Sequence, residues 1–125
     1  MPLSERILLL SAGLCGALGV IFEAMAAHGD YAAWLKTGAD FLLFHAGALL
    51  ALVAMIRTQH APRHALSAGG FLILLGLLLF SGDLIWRTFT GAAHLFTNAA
   101  PIGGSAMIGG WFLVAIAAFA PPRSG

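Results

Sequence analysis

Apolar residues along this chain fall into four long runs separated by short polar turns, and the stretch from Leu66 to Thr88 shows the pattern most plainly. Its first ionisable group is Asp83, which follows the uncharged run Gly70–Phe80 and precedes Trp86-Arg87. About 20 apolar residues, rising 1.5 Å each, cross the hydrocarbon layer, so a run of this kind predicts a membrane span. The other runs repeat it. Together they predict spans of about 7–27, 39–57, 66–88 and 100–120 in one domain covering 1–125. The expected fold class is all-α: an integral membrane four-helix bundle with short loops.

Polar punctuation supplies the ends. Ser4 suits a helix cap before Ile7. Between the first two runs, Tyr31 and Trp34 are three apart and fit the headgroup level on one side of a short helix capped by Asp30. Thr37-Gly38-Ala39-Asp40 then has the spacing of a capping box for the second span. Pro62 separates His60 from His64, so their four-residue spacing does not make a helical metal pair. Thr97 or Asn98 can cap the last span, Pro101 suits its first turn, and Pro121-Pro122 ends it. Small residues mark packing faces where backbones can approach: Gly16 and Gly19 with Glu23, Gly47 with Ala51, Ser105 with Gly109, and Ala106 with Gly110. Gly103 and Gly104 add to that surface, and Trp111 falls deep enough in its helix to pack inside the bundle.

Composition strengthens the membrane reading. The chain has 125 residues, 60% hydrophobic and 9% charged, against about 25% charged in soluble domains. So few charges cannot cover a water-facing surface. A net charge of +1 with no basic stripe gives no electrostatic case for nucleic acid. The lone Cys15 lies in an apolar run and reads as a small packing residue. A cleaved leader is the rival reading of the first run, with Ala24-Met25-Ala26 as its cleavage site, but Glu23 and the length of the run argue against it. Four spans place Arg6, Arg57, Arg63 and Arg123 at one rim and Lys36 and Arg87 at the other, which predicts both termini in the cytoplasm.

Most remaining polar residues gather at the second rim. Glu23, Asp83 and Arg87, with His28 or His45, could form one buried cluster between the first three helices. A structural ion pair and a proton- or cation-handling site would both use these residues. Asp83 precedes Arg87 by four positions, the orientation in which acid and base on one helix meet. Other chemistries fit less well. A b-type haem needs two facing histidines, and only His45 lies well inside a span. Ser81 with His28 or His94 lacks a complete hydrolytic set and reads more simply as a packing or kink site beside Gly82. Gly103-Gly104 has no P-loop lysine. A small multidrug exporter also has four helices and an acid in its first span, but Glu23 lies near the end of its helix.

Several short motifs occur in order: Ala26-Ala27-His28-Gly29, Thr37-Gly38 followed by His45, Leu79-Phe80-Ser81-Gly82, Pro101-Ile102-Gly103-Gly104, and Gly110-Trp111. In this the chain resembles the small membrane proteins catalogued as domain of unknown function 423, over nearly its whole length. The resemblance implies four membrane helices and no established activity. Glu23 departs from that family's pattern, where a small residue is usual, and Asp83 stands where serine is usual. The expectation is a multi-pass inner-membrane protein with no enzymatic activity and no cofactor or metal, acting as a structural or accessory subunit. Its partners would be the lipid bilayer and a homo-oligomer or larger membrane complex. The alternative is a small transporter or proton-linked carrier using Glu23, Asp83 and Arg87.

Overall fold

A computed structural model describes residues 1–121 and contains four helices: α1 (Leu3–His28), α2 (Ala33–Ile56), α3 (Arg63–Thr90) and α4 (Ala99–Ala117). All four are long and apolar enough to cross a membrane. At 1.5 Å per residue α1 and α3 reach about 40 Å and overrun a hydrocarbon core of about 30 Å, whereas α4 only just spans it. Arg123 lies outside the described residues.

The helix starts differ from their expected places for a physical reason. Ala33-Trp34-Leu35-Lys36 has no helix breaker, so α2 begins at Ala33 and the connector shrinks to 29–32. Thr37–Asp40 is therefore inside the helix and not a capping box; Thr37 Oγ1 bonds back to the Ala33 carbonyl, and Asp40 pairs with Lys36 four residues earlier. Asp30 does not cap α2, whose N-cap position is Ala32. Likewise α1 starts after Pro2, with Ser4 already within it and no side-chain cap bond. Pro62 stands at the N-cap of α3, and Pro101 occupies the first turn of α4, as expected. Gly91 ends α3 in the left-handed conformation (φ 70°), and the Ala92 N–H reaches back to the Arg87 carbonyl at 2.9 Å. That is the six-to-one bond of a glycine-terminated helix.

The helices run alternately up and down, with α2 and α3 inner and α1 and α4 outer. About twice as large a share of the inner helices is buried. Along the backbone α1 lies against α2, α2 against α3, and α4 against α3 alone among the described helices. Leu8, Leu49, Leu52, Val53, Ile56, Leu66 and Ile73 fill the half near the amino end. Cys15, Leu42, Ala46, Leu77 and Met107 fill the other half.

Glycine decides how closely α4 approaches. A methyl group on Gly76 would lie 2.6 Å from the Met107 nitrogen, and one on Gly103 2.6 Å from the Gly76 carbonyl oxygen. One helical repeat away, a methyl on Gly110 would meet the Gly69 carbonyl oxygen at 2.8 Å. Two glycine pairs seven residues apart therefore hold the backbones of α3 and α4 together, close packing that in lipid must replace the hydrophobic drive. The expected faces are only partly used. Gly47 and Gly13 meet nothing within 4 Å, because both sit on the outer surface of the α1–α2 pair.

Candidate functional site

At the rim where α1 ends, Glu23 pairs with Lys36 (Nζ–Oε2 3.7 Å). Lys36 Nζ also donates to both oxygens of Asp40 at 3.1 and 3.2 Å. This joins α1 to the first turns of α2. Arg87 pairs with neither acid. Its guanidinium lies over the Trp34 ring, 4.4 Å from the centroid, a cation–π contact between α3 and α2. Glu23 Oε1, Trp34 Nε1 and Arg87 Nε are buried at this rim without a hydrogen-bond partner.

Asp83 is turned the other way. It is fully buried, and both its oxygens accept from the α3–α4 connector: Oδ2 from His94 Nδ1 at 3.0 Å and Oδ1 from the Leu95 N–H at 2.8 Å. The expected Asp83–Arg87 contact is absent because the connector folds back over α3 and offers two donors to a carboxylate facing it. His94 thus bonds to a carboxylate rather than to connector backbone. His28 is exposed at the end of α1. Glu23, His28, His45, Asp83 and Arg87 are accordingly spread over separate contacts, and the single cluster of the sequence expectation does not form.

His45 lies much deeper, 12 residues or about 18 Å into α2. Its Nδ1 is 2.9 Å from the Phe41 carbonyl, and its Nε2 is 3.1 Å from Trp111 Nε1. An indole nitrogen can only donate, so Nε2 accepts and the ring proton sits on Nδ1, directed at Phe41. The histidine is therefore a neutral bridge to α4. Trp111 itself is 44% exposed, its ring at the bundle surface and its N–H turned inward. Ser81, also fully buried, donates its hydroxyl to the Gly38 carbonyl at 2.9 Å. Gly38 permits that approach; a methyl there would stand 3.2 Å from Ile85.

Sequence reasoning missed Glu5. It is buried at the opposite rim, where Arg57 Nη1 donates to Oε2 at 2.8 Å and Arg63 Nη2 to Oε1 at 3.0 Å. One carboxylate thereby ties the start of α1 to both ends of the α2–α3 turn. The signal was available: a lone acid on the rim that carries Arg6, Arg57 and Arg63. Glu5 and Glu23 are 18 residues apart, about 27 Å, so the two ionic ties lie near opposite edges of a hydrocarbon core about 30 Å thick.

Helices of this length, with charge confined to the two edges and hydrogen-bonded polar groups between, define a multi-pass integral membrane protein. The comparisons are more specific. The profile of the family described as "Protein of unknown function (DUF423)" matches residues 12–104, and the chain belongs to that family. It is 34% identical over 118 residues to a UPF0382 membrane protein of Haemophilus influenzae, covering 88% of each chain. It is 26% identical over 130 residues to the UPF0382 inner membrane protein YgdD of Escherichia coli, covering 98% of this chain and 97% of that one. The UPF0382 membrane protein YwdK of Bacillus subtilis is 27% identical over 120 residues. No solved structure gives a significant match. The residues that carried the resemblance prove to be one another's partners, Ser81 with Gly38 and His45 with Trp111, while Gly103 forms the closest α3–α4 approach.

Proposed function

We propose that this protein is a non-enzymatic accessory subunit of the inner membrane, whose helices pack against further copies of itself or a larger membrane complex. The observation that carries this reading is the use made of the polar residues. Asp83, His45 and Ser81 each use a hydrogen bond to hold one segment of the chain to another, and the second bond of His45 stays within its own helix. A carrier would need polar groups released from such duty at mid-depth. The outer helices also keep rows of large apolar side chains outward: Leu10, Leu14 and Leu18 on α1, and Ile108, Phe112 and Ile116 on α4. The excess of arginine at one rim in the sequence supports a cytoplasmic position for both termini.

Purification of the tagged chain in mild detergent tests the reading. The expected result is a particle well above the 13.0 kDa of the chain, as multiples of itself or with a stoichiometric partner. A monomer throughout, together with proteoliposome flux abolished by Glu23→Gln, would replace this reading with that of a carrier. Orientation is checked separately by cysteine labelling in a Cys15→Ala background. Gln59→Cys should react only from the cytoplasmic side and Ala92→Cys only from the outside; the reverse pattern inverts the assignment.

A further inference from the structure

α1 and α3 begin side by side at the arginine-rich rim, and between their first turns lies a recess of about 470 Å³. It is lined by Ser4, Glu5, Arg63, His64 and Ser67. Its size falls within the range of small-ligand sites, about 300–1,000 Å³. The polar groups in its wall are mostly unspent: no hydrogen bond from the Ser4 hydroxyl, the Ser67 hydroxyl or the His64 ring is found among the described residues. Arg63 gives one guanidinium nitrogen to Glu5 and keeps its other donors.

The charge balance selects the ligand. Glu5 is the only acid in the wall; it is 1% exposed, and each of its oxygens already accepts from a guanidinium. Within the wall Arg63 balances Glu5, but Glu5 is also paired with Arg57 just outside the lining, so the ion-paired group as a whole is positive, and Arg6 adds a further cation at the same rim. Both helices start at a proline with no side-chain cap, so their positive dipole ends also face this region. A guanidinium, two hydroxyls and an imidazole around one space make a donor set for tetrahedral oxyanions. Glu5 lies about 27 Å along α1 from Glu23, which sets the recess at the edge of the hydrocarbon layer, where headgroup phosphates lie.

We infer that the recess formed by Ser4, Arg63, His64 and Ser67 binds a phosphate group, either that of an anionic phospholipid headgroup or that of a small soluble phosphate. This goes beyond the accessory role and does not depend on it. Full-length protein in phosphatidylcholine nanodiscs, with or without phosphatidylglycerol, is examined by native mass spectrometry and by thermal unfolding with added inorganic phosphate. Preferential retention of phosphatidylglycerol identifies a headgroup site, and stabilisation by inorganic phosphate identifies a soluble ligand. Either result supports the recess if the Ser4→Ala/Ser67→Ala double variant weakens the binding about tenfold or more, as loss of hydrogen bonds to a charged group should. Arg63→Gln should weaken it further, but it also loosens Glu5, so the serine variant, which leaves the Glu5 bonds intact, decides. The inference is overturned if phosphatidylglycerol is retained no better than phosphatidylcholine and phosphate has no effect. It is equally overturned if the double variant, with unchanged unfolding temperature, binds as the wild type does.

Discussion

Asp83 shows what a buried charge does at the level of one residue. With no exposure it accepts from two donors of the connector, the His94 ring and the Leu95 N–H. Charge-assisted bonds of this kind contribute about 1.5–3 kcal/mol each. Asp83→Ala should therefore raise hydrogen exchange at the Leu95 amide about tenfold or more while amides in the body of α3 stay protected; unchanged exchange at Leu95 would show that the carboxylate does not hold the connector. The residue was legible in the sequence as an acid near the end of a span that needs a partner. Its partner was not. Helical spacing pointed to Arg87, four residues on, whereas His94 and Leu95 reach Asp83 through a turn whose path no periodicity records. Glu5 was hidden in the same way: an acid in a first turn has a local explanation in the helix dipole, while its two arginines are distant in sequence.

Among the helices, the glycines separate contacts that matter from contacts that merely look alike. Gly76→Ala and Gly103→Ala force a methyl group into the facing backbone, where no flexible side chain can yield, and overpacking of this sort costs about 1–3 kcal/mol. Gly13→Ala and Gly47→Ala meet open space and should leave stability unchanged or slightly raised. Thermal unfolding of the four variants in one detergent checks this, and equal effects at all four positions would mean that α3 and α4 are not held backbone to backbone. The existence, order and approximate ends of the helices could be read from hydrophobic runs and prolines alone. Which face of each helix is buried could not. Residues facing lipid are as apolar as residues facing protein, so the alternation that betrays a core in water is missing here, and Gly47 with Ala51 looked as good a packing step as Ala106 with Gly110.

The described residues form two helix pairs, α1–α2 and α3–α4, joined mainly through α2 and α3, with a smaller contact of α1 on α3, and fastened by polar ties at three depths. Glu5 with Arg57 and Arg63 closes one rim, Glu23 with Lys36 and Arg87 over Trp34 close the other, and the His45–Trp111 bond lies between. α4 is the helix most dependent on this arrangement: its backbone approaches only α3, and Trp111 supplies its hydrogen bond to α2. Family membership was readable from five short motifs, but only the structure shows that several of them are two halves of the same contact. If these polar residues serve to hold the fold, then His45 and Trp111 must be energetically coupled. A double-mutant cycle of His45→Phe, Trp111→Phe and the pair, read by reversible unfolding in bicelles, measures that coupling. A value of about 0.6 kcal/mol and no more than about 1.7 is predicted, the average and upper limit measured for hydrogen bonds between membrane helices; strictly additive effects would contradict the account.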